Sequence, residues 1–496
     1  MEKLGDKVNL YVEQQLDGYT RSYINSPKVI HDSILGTNIF YPHEMVVLDS
    51  PLLQRLRRIS QVDVVPLVFP SGNHNRFEHS LGVTVIADKL VNALRNRQAI
   101  SPEEFESLRY HVRMAGILHD CGHGAFSHMS EEIHGKFDDM LAERQSNKTL
   151  YGDSKPHEIL SYLIVTSPAF KDFFSTQVEL IYGISLDLDL IGQMIIGYIS
   201  DPLKAFWVEI INGAFDADKL DYIQRDSHFT GIQMILDLDR LFHTLDLIEI
   251  DGKKRLTIDF SGVSTLEEIV FDKMMLVSTV YNHHKVRSAE CLFKSIFDHI
   301  RSENILIYDM TFDSAADFLY ITDEDIYSLA KKQDIGSAST LARNLLNRNL
   351  PKRSLVISGR TISNNRQNLQ QIMSLDRDDL QALRDAIVEE VRKTNPDISN
   401  SDVWVDLPKI PKFKEGSLWP IKEGTDSNSY ITLRQVFPVD DWTKAFSEHK
   451  WAGYVFTWPQ FTDDVNLAAQ NVIEEVFDIK FNQFARSICK IKSKQH

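Results

Sequence analysis

Apolar positions along this chain recur mostly at helical intervals. From Pro51 onward Leu53, Leu56 and Ile59 mark one face, and similar periodicity predicts helices near 78–97, 103–120, 157–166, 205–213 and 218–227. A longer helix is predicted where Leu266, Val270, Met274, Val277 and Tyr281 step by threes and fours. Two stretches break the pattern. Residues 28–42, KVIHDSILGTNIFYP, form an extended leading segment with a glycine turn. Residues 247–260, LIEIDGKKRLTIDF, alternate apolar and polar positions around Asp251–Gly252, the signature of a β-hairpin. Beyond a polar loop at 358–371 the pattern predicts a helix near 378–394, strands at VWVDL and YVFTW, and a final helix near 463–490. The expected fold is mainly α with minor β hairpins: an N-terminal extension (1–27), a helical core (28–355) and a smaller α+β region (356–496).

Bulk properties narrow the function classes. A chain of 496 residues exceeds the size at which a single core stops growing, so two or more cores are expected. Its net charge of −16 disfavours general nucleic-acid binding through a basic surface, while leaving room for a local basic pocket. Three cysteines (Cys121, Cys291, Cys489) include no CxxC pair, which fits a reducing compartment. The opening MEKLGDKVNLYVEQQL lacks the apolar core of a signal peptide, and LIGQMIIGYI is about half a membrane span, so a cytoplasmic protein without a membrane partner is expected.

Four segments hold candidate chemistry. They are HNRFEHS with His79, GILHDCGHGAFSHMSEE with His119, Asp120, His123 and His128, KPHEIL with His157 and Glu158, and DADKLDYIQRD with Asp218. Imidazole nitrogens and carboxylate oxygens together suit divalent metals used in phosphoryl chemistry. Adjacent His119 and Asp120 would diverge by about 100° in mid-helix, but at a helix end running into Gly122 and Gly124 they can converge on one ion. Any one of these histidines is as readily a capping or core residue. Five histidines between residues 79 and 128 make the joint reading the stronger one. On the 218 helix, Asp218 can face a metal while Lys219, Tyr222 and Asp226 line the same cleft; the competing reading is a solvated charged face.

RFEHSLG, HDCGHGAFSH, PHE and DADKLDYIQRD resemble the HD-domain deoxynucleoside triphosphate triphosphohydrolases, from about Lys28 to Lys352. The resemblance implies an HD-domain helical core in which His79, His119, Asp120 and Asp218 ligate one divalent metal. Fe, Mn, Mg, Zn and Co are not distinguished by such a site. It implies that His123, His128 and His157 surround the scissile bond, with Glu158 positioning His157 and His128 as proton donor to the departing sugar oxygen. Water activated by the metal would attack the α-phosphate, releasing deoxynucleoside and intact triphosphate. Arg76 and Lys219 would bind phosphates, Gln61 and Asp226 the 3′-hydroxyl, and Tyr222 and Tyr281 the sugar face. One departure touches the site: Glu131 stands three residues after His128, where the family has aspartate.

The same resemblance implies regulation. Asp49, Gln54 and Arg57 match positions that read guanine at an activator site in vertebrate members, and Lys28, Val29, Arg348 and Lys352 match positions lining it. A guanine nucleotide (GTP or dGTP) and a homo-oligomer, tetramer or dimer, would follow. QRLRRIS is equally an ordinary amphipathic helix with solvated arginines. Two other function classes compete: an HD hydrolase for another phosphoester (a monophosphate, an alarmone or a cyclic nucleotide), and a non-catalytic nucleotide- or single-strand-binding scaffold. Gln61, Lys219, Tyr222, Asp226 and Tyr281 favour the deoxynucleotide reading.

Overall fold

In a computed structural model of the protein, which describes residues 3–332, 336–409, 414–424 and 429–489, the periodic segments form helices with well-defined starts. Asn75 caps the helix Arg76–Asn96 by accepting from the Glu78 N–H, and Ser101 caps Pro102–Leu118 in the same way. Proline occupies the first turn of Pro102–Leu118 and of Pro156–Thr166, where its missing N–H costs nothing. Asp216 caps Ala217–Thr230, and Gly231, at φ 74°, ends it. The fold is mainly α, as the periodicity implied.

The chain divides into two compact units. One comprises 1–273, 303–328 and 414–437, the other 274–302, 329–413 and 438–496. This division differs from boundaries at 27/28 and 355/356. The helix Leu4–Leu16 is no appendage: Leu4, Val8, Tyr11 and Val12 are buried in the first unit's core. Residues 414–437 join that unit because Pro420–Lys422 pairs parallel with Lys253–Asp259, extending the predicted hairpin to four strands.

In the first unit, helices Arg76–Asn96 and Pro102–Leu118 lie so close that a Cβ on Gly116 would sit 2.9 Å from the Thr84 Cα. Glycine lets the two backbones meet there, bringing the ends of both helices to one place. The hairpin Leu245–Ile250/Lys253–Asp259 turns through Asp251 and Gly252, both in the left-handed region that a two-residue turn requires. The leading segment folds as a second hairpin, Lys28–Asp32 with Gly36–Phe40.

The second unit is built on the antiparallel strands Lys352–Ile357, Gly453–Thr457 and Val403–Asp406, with Gly453–Thr457 in the middle. Helices Arg377–Arg392 and Thr462–Phe477 bury Ile387, Val391, Val465 and Ile473 with Leu355 and Val455. Two expectations change here. The last long helix ends at Phe477, because Asp478 turns left-handed and Lys480–Phe481 pairs with Ile362–Asn364. The polar stretch 358–371 therefore contains a strand. Residue 490 of the predicted helix lies outside the described residues. No helix among the described residues is long and apolar enough to cross a membrane.

Candidate metal centre and catalytic site

Three helices deliver the four candidate metal ligands. His79 sits in the first turn of Arg76–Asn96, His119 caps the end of Pro102–Leu118, Asp120 follows it, and Asp218 lies in the first turn of Ala217–Thr230. Their atoms converge on His79 Nε2. His119 Nε2 lies 3.3 Å away, Asp218 Oδ1 3.0 Å and Asp120 Oδ2 3.6 Å. Ligand atoms at ~2.1 Å from a shared ion, at roughly 90–110° to one another, stand about 3.0–3.4 Å apart.

The outer nitrogens fix which face is offered. His79 Nδ1 pairs with Asp221 Oδ2 at 2.7 Å, and His119 Nδ1 with the Gly116 carbonyl at 2.8 Å. Both acceptors call for N–H at Nδ1, so both Nε2 lone pairs point at each other. Two lone pairs at 3.3 Å need a positive charge between them. Burial pushes the His79 pKa down, but Asp218 and Asp221 outweigh it and hold it up at about 10. Asp120 stays ionised: burial opposes this, and His119 and Arg76 overcome it. The residues present thus fit a divalent cation.

A buried relay stands behind His79. Asp221 also accepts from Arg225 Nε at 2.8 Å and Nη2 at 2.9 Å, and Arg225 Nη1 donates to Asp32 Oδ2 at 2.9 Å on the leading hairpin. Arg225 is fully buried. The Asp221 carboxylate fits only because residue 82 is glycine: a Cβ there would lie 1.9 Å from Asp221 Oδ1.

Asp120 faces two ways. Its Oδ2 accepts from Arg76 Nη1 at 2.8 Å, and its Oδ1 lies 3.4 Å from His123 Nε2 and 3.9 Å from His157 Nε2. The His123 and His157 rings stack at 3.8 Å, and His128 meets His123 edge-on at 5.2 Å. One carboxylate oxygen, Glu131 Oε2, serves both flanking rings, 3.0 Å from His128 Nδ1 and 2.8 Å from His157 Nδ1. The longer side chain at 131 therefore does reach. Glu158 is a correction. As the third residue of its helix it turns back to accept the Lys155 N–H at 2.7 Å, so Glu131, not Glu158, orients His157.

Other candidates are placed as follows. Arg76 is buried, with Nε on Ser127 Oγ, Nη1 on Asp120 and Nη2 on the Gln61 carbonyl, where it braces Asp120. Lys219 Nζ donates to Asp216 Oδ2 and the Gly213 carbonyl, both at 2.7 Å. Asp226 is buried and pairs with His74 Nε2 at 2.8 Å, a partner not anticipated from sequence. Gln61 is buried, Tyr222 half-buried on the Asp218 helix, and Tyr281 belongs to the second unit. Arg57 stacks on the Phe77 ring at 3.8 Å and donates to Gln54 Oε1 at 2.8 Å. Together with Asp32, His31 and Glu78, Arg57 lines a cavity of about 170 Å³. Asp49 pairs with Arg21, while Lys28 and Val29 are exposed on the leading hairpin. In the second unit Lys352, Arg348 and Arg353 add to burial in pushing the Lys285 ammonium down to about 8.

Residues 76–188 match the HD domain, and residues 236–483 match the HD associated region. The chain belongs to the HD-domain phosphohydrolase family. It is 26% identical over 403 residues to an uncharacterized protein of Methanocaldococcus jannaschii, covering 80% of this chain and 72% of that one. It is 25% identical over 390 residues to the deoxynucleoside triphosphate triphosphohydrolase SAMHD1 homolog of Dictyostelium discoideum, covering 78% and 68%. Against deoxynucleoside triphosphate triphosphohydrolase SAMHD1 of Danio rerio the identity is 29% over 388 residues, covering 71% of this chain and 60% of that protein's length. The His79–His119–Asp120 cluster falls inside the matched HD domain, and Asp218 lies between the two matched regions.

Proposed function

We propose that this HD phosphohydrolase hydrolyses deoxynucleoside triphosphates to deoxynucleoside and triphosphate. The observation that carries the reading is one arrangement: His119, Asp120 and Asp218 within 3.0–3.6 Å of His79 Nε2, beside three clustered imidazoles. The names of the relatives supply the substrate class. When bound, a divalent cation supplies Lewis acidity to activate water and screens the phosphate charge. His79, His119, Asp120 and Asp218 would hold it.

The chain's own residues do the rest. Hydrolysis forms a bond from water oxygen to the α-phosphorus and breaks the bond to the sugar 5′-oxygen, which needs a proton as it leaves. We assign delivery of that proton to Nε2 of His128, a half-exposed ring whose Nδ1 lies 3.0 Å from Glu131 Oε2; burial lowers the pKa of this ring and Glu131 opposes that shift by favouring the imidazolium. His123 and His157 crowd the same place and donate to phosphate oxygens. Lys219 contributes charge at the cleft, Gln61 and Asp226 hold the 3′-hydroxyl, and Tyr222 packs the sugar. Arg76 binds phosphate only by releasing part of its present bonding, so its first role is to brace Asp120.

Activation by a guanine nucleotide and assembly into a homo-oligomer are part of the same proposal. The Arg57–Gln54 pair beside a cavity lined by His31, Asp32 and Arg57 supports it. Chromatography of products from each dNTP and rNTP across a metal panel tests the activity: tripolyphosphate plus nucleoside is expected, and stepwise phosphate release overturns it. Sedimentation with and without GTP and dGTP tests the regulation; unchanged mass with unchanged activity rejects it.

A further inference from the structure

Just ahead of His128 the backbone does something costly. Phe126 and Ser127, neither of them glycine, both take positive φ, 52° and 46°. Such conformations persist only where surrounding groups enforce them. The enforcing group comes from nearly 200 residues away. Asp323, at the start of the short helix Asp323–Ser328, accepts the Phe126 N–H on Oδ1 at 2.6 Å and the Ser60 N–H on Oδ2 at 2.9 Å. Ser127 Oγ closes the loop by donating to the Ser60 carbonyl at 2.6 Å. The Phe126 ring, fully buried, meets Tyr327 of the same short helix edge-on at 5.3 Å.

Both segments that Asp323 ties together run directly into candidate site residues. Ser60 precedes Gln61, and the left-handed pair Phe126–Ser127 sets where the helix His128–His134 begins, hence where the His128 ring stands. Two metal ligands, His79 and His119, are held by other means: Asp221 and the Gly116 carbonyl.

The geometry points to Asp323 as a positioning residue for the reaction: it clamps the turn that aims His128, without touching substrate or metal. This rests on His128 being the proton donor. The carboxylate's two oxygens match two backbone donors, so Asp323→Ala leaves two N–H groups unmet and frees both left-handed residues. Misplacement of a reacting group by about 1 Å costs on the order of 10²-fold in rate.

The test is a double-mutant cycle on the metal-loaded full chain. Asp323→Ala should lower kcat about 10²-fold with bound metal retained. Asp323→Asn, which keeps one acceptor, should recover part of the loss. Added to His128→Ala, Asp323→Ala should cost little more, because both act through one group. Equal losses in the presence and absence of the His128 ring overturn the proposal, as does Asp323→Ala at full kcat while His128→Ala is slow. If His128→Ala alone retains full kcat, the proton-donor reading fails instead. Should Asp323→Ala not fold, the cycle is run with Asp323→Asn.

Discussion

Replacing Asp221 by asparagine keeps the side chain's volume and removes its charge, so it isolates what the carboxylate does. Asp221 now serves three donors, His79 Nδ1, Arg225 Nε and Arg225 Nη2, within 2.7–2.9 Å. An amide offers a single oxygen, so at least one of those donors meets an N–H instead. Loss of such a partner behind a metal ligand weakens metal binding roughly 10–100-fold, or about 1.4–2.7 kcal/mol at 1.36 kcal/mol per decade. A second cost falls on folding, because removing one partner of a buried ion pair costs roughly 3–5 kcal/mol. Arg225 keeps Asp32 at 2.9 Å, which sets the loss at the lower end, about 3 kcal/mol. For a unit of this size, with an unfolding entropy of about 2.1 cal/mol/K per residue, that lowers Tm by roughly 4 °C. Metal retained against graded chelator and thermal unfolding of the metal-free protein measure the two costs separately. The triple variant Asp32→Asn/Asp221→Asn/Arg225→Met removes all three charges of the relay and should regain stability, but not metal affinity. Wild-type metal affinity in a folded Asp221→Asn protein would refute the relay.

Other outcomes can be checked alongside. His119→Ala or Asp120→Ala should abolish turnover of any substrate and leave no stoichiometric metal in the protein, as read by elemental analysis. His128→Ala should slow single-turnover hydrolysis roughly 10²–10⁴-fold while nucleotide binding by calorimetry persists. Gly116→Ala forces a methyl group to 2.9 Å from the Thr84 Cα and 3.0 Å from its N; these two contacts are backbone, so denaturant unfolding should show a loss of about 1–3 kcal/mol. Buried His134, packed against Phe318, has its pKa lowered to about 4 by burial. Its folded pKa lies below the ordinary 6.5, so the unfolded chain takes up the proton first. Stability should therefore fall as pH drops from 6.5 to 4, by up to about 3 kcal/mol, and His134→Met should flatten that part of the profile.

Much of the fold was legible because helix periodicity and capping act locally. The Asp251–Gly252 hairpin and the helices carrying His79, His119 and Asp218 fall where their patterns put them. Glu131 was visible only as a departure, because its role depends on reaching two histidines from different segments. Asp221 lies three residues after Asp218 on the same helix, so a second carboxylate one turn on was a readable signal for a buttress. Asp323, His74 and Asp32 gave no local signal, since each acts on a partner distant in sequence. Pro420–Lys422 pairs with a strand some 160 residues earlier, a contact that no window of sequence reveals.

Asp120 stands where two neighbourhoods share a wall, one oxygen toward Arg76 and His79 and the other toward His123 and His157. No substitute preserves both aspects: glutamate shifts the wall by a methylene, and asparagine turns one side from acceptor to donor. Variation in such a protein should therefore spread through the surrounding imidazoles and braces long before it reaches this carboxylate.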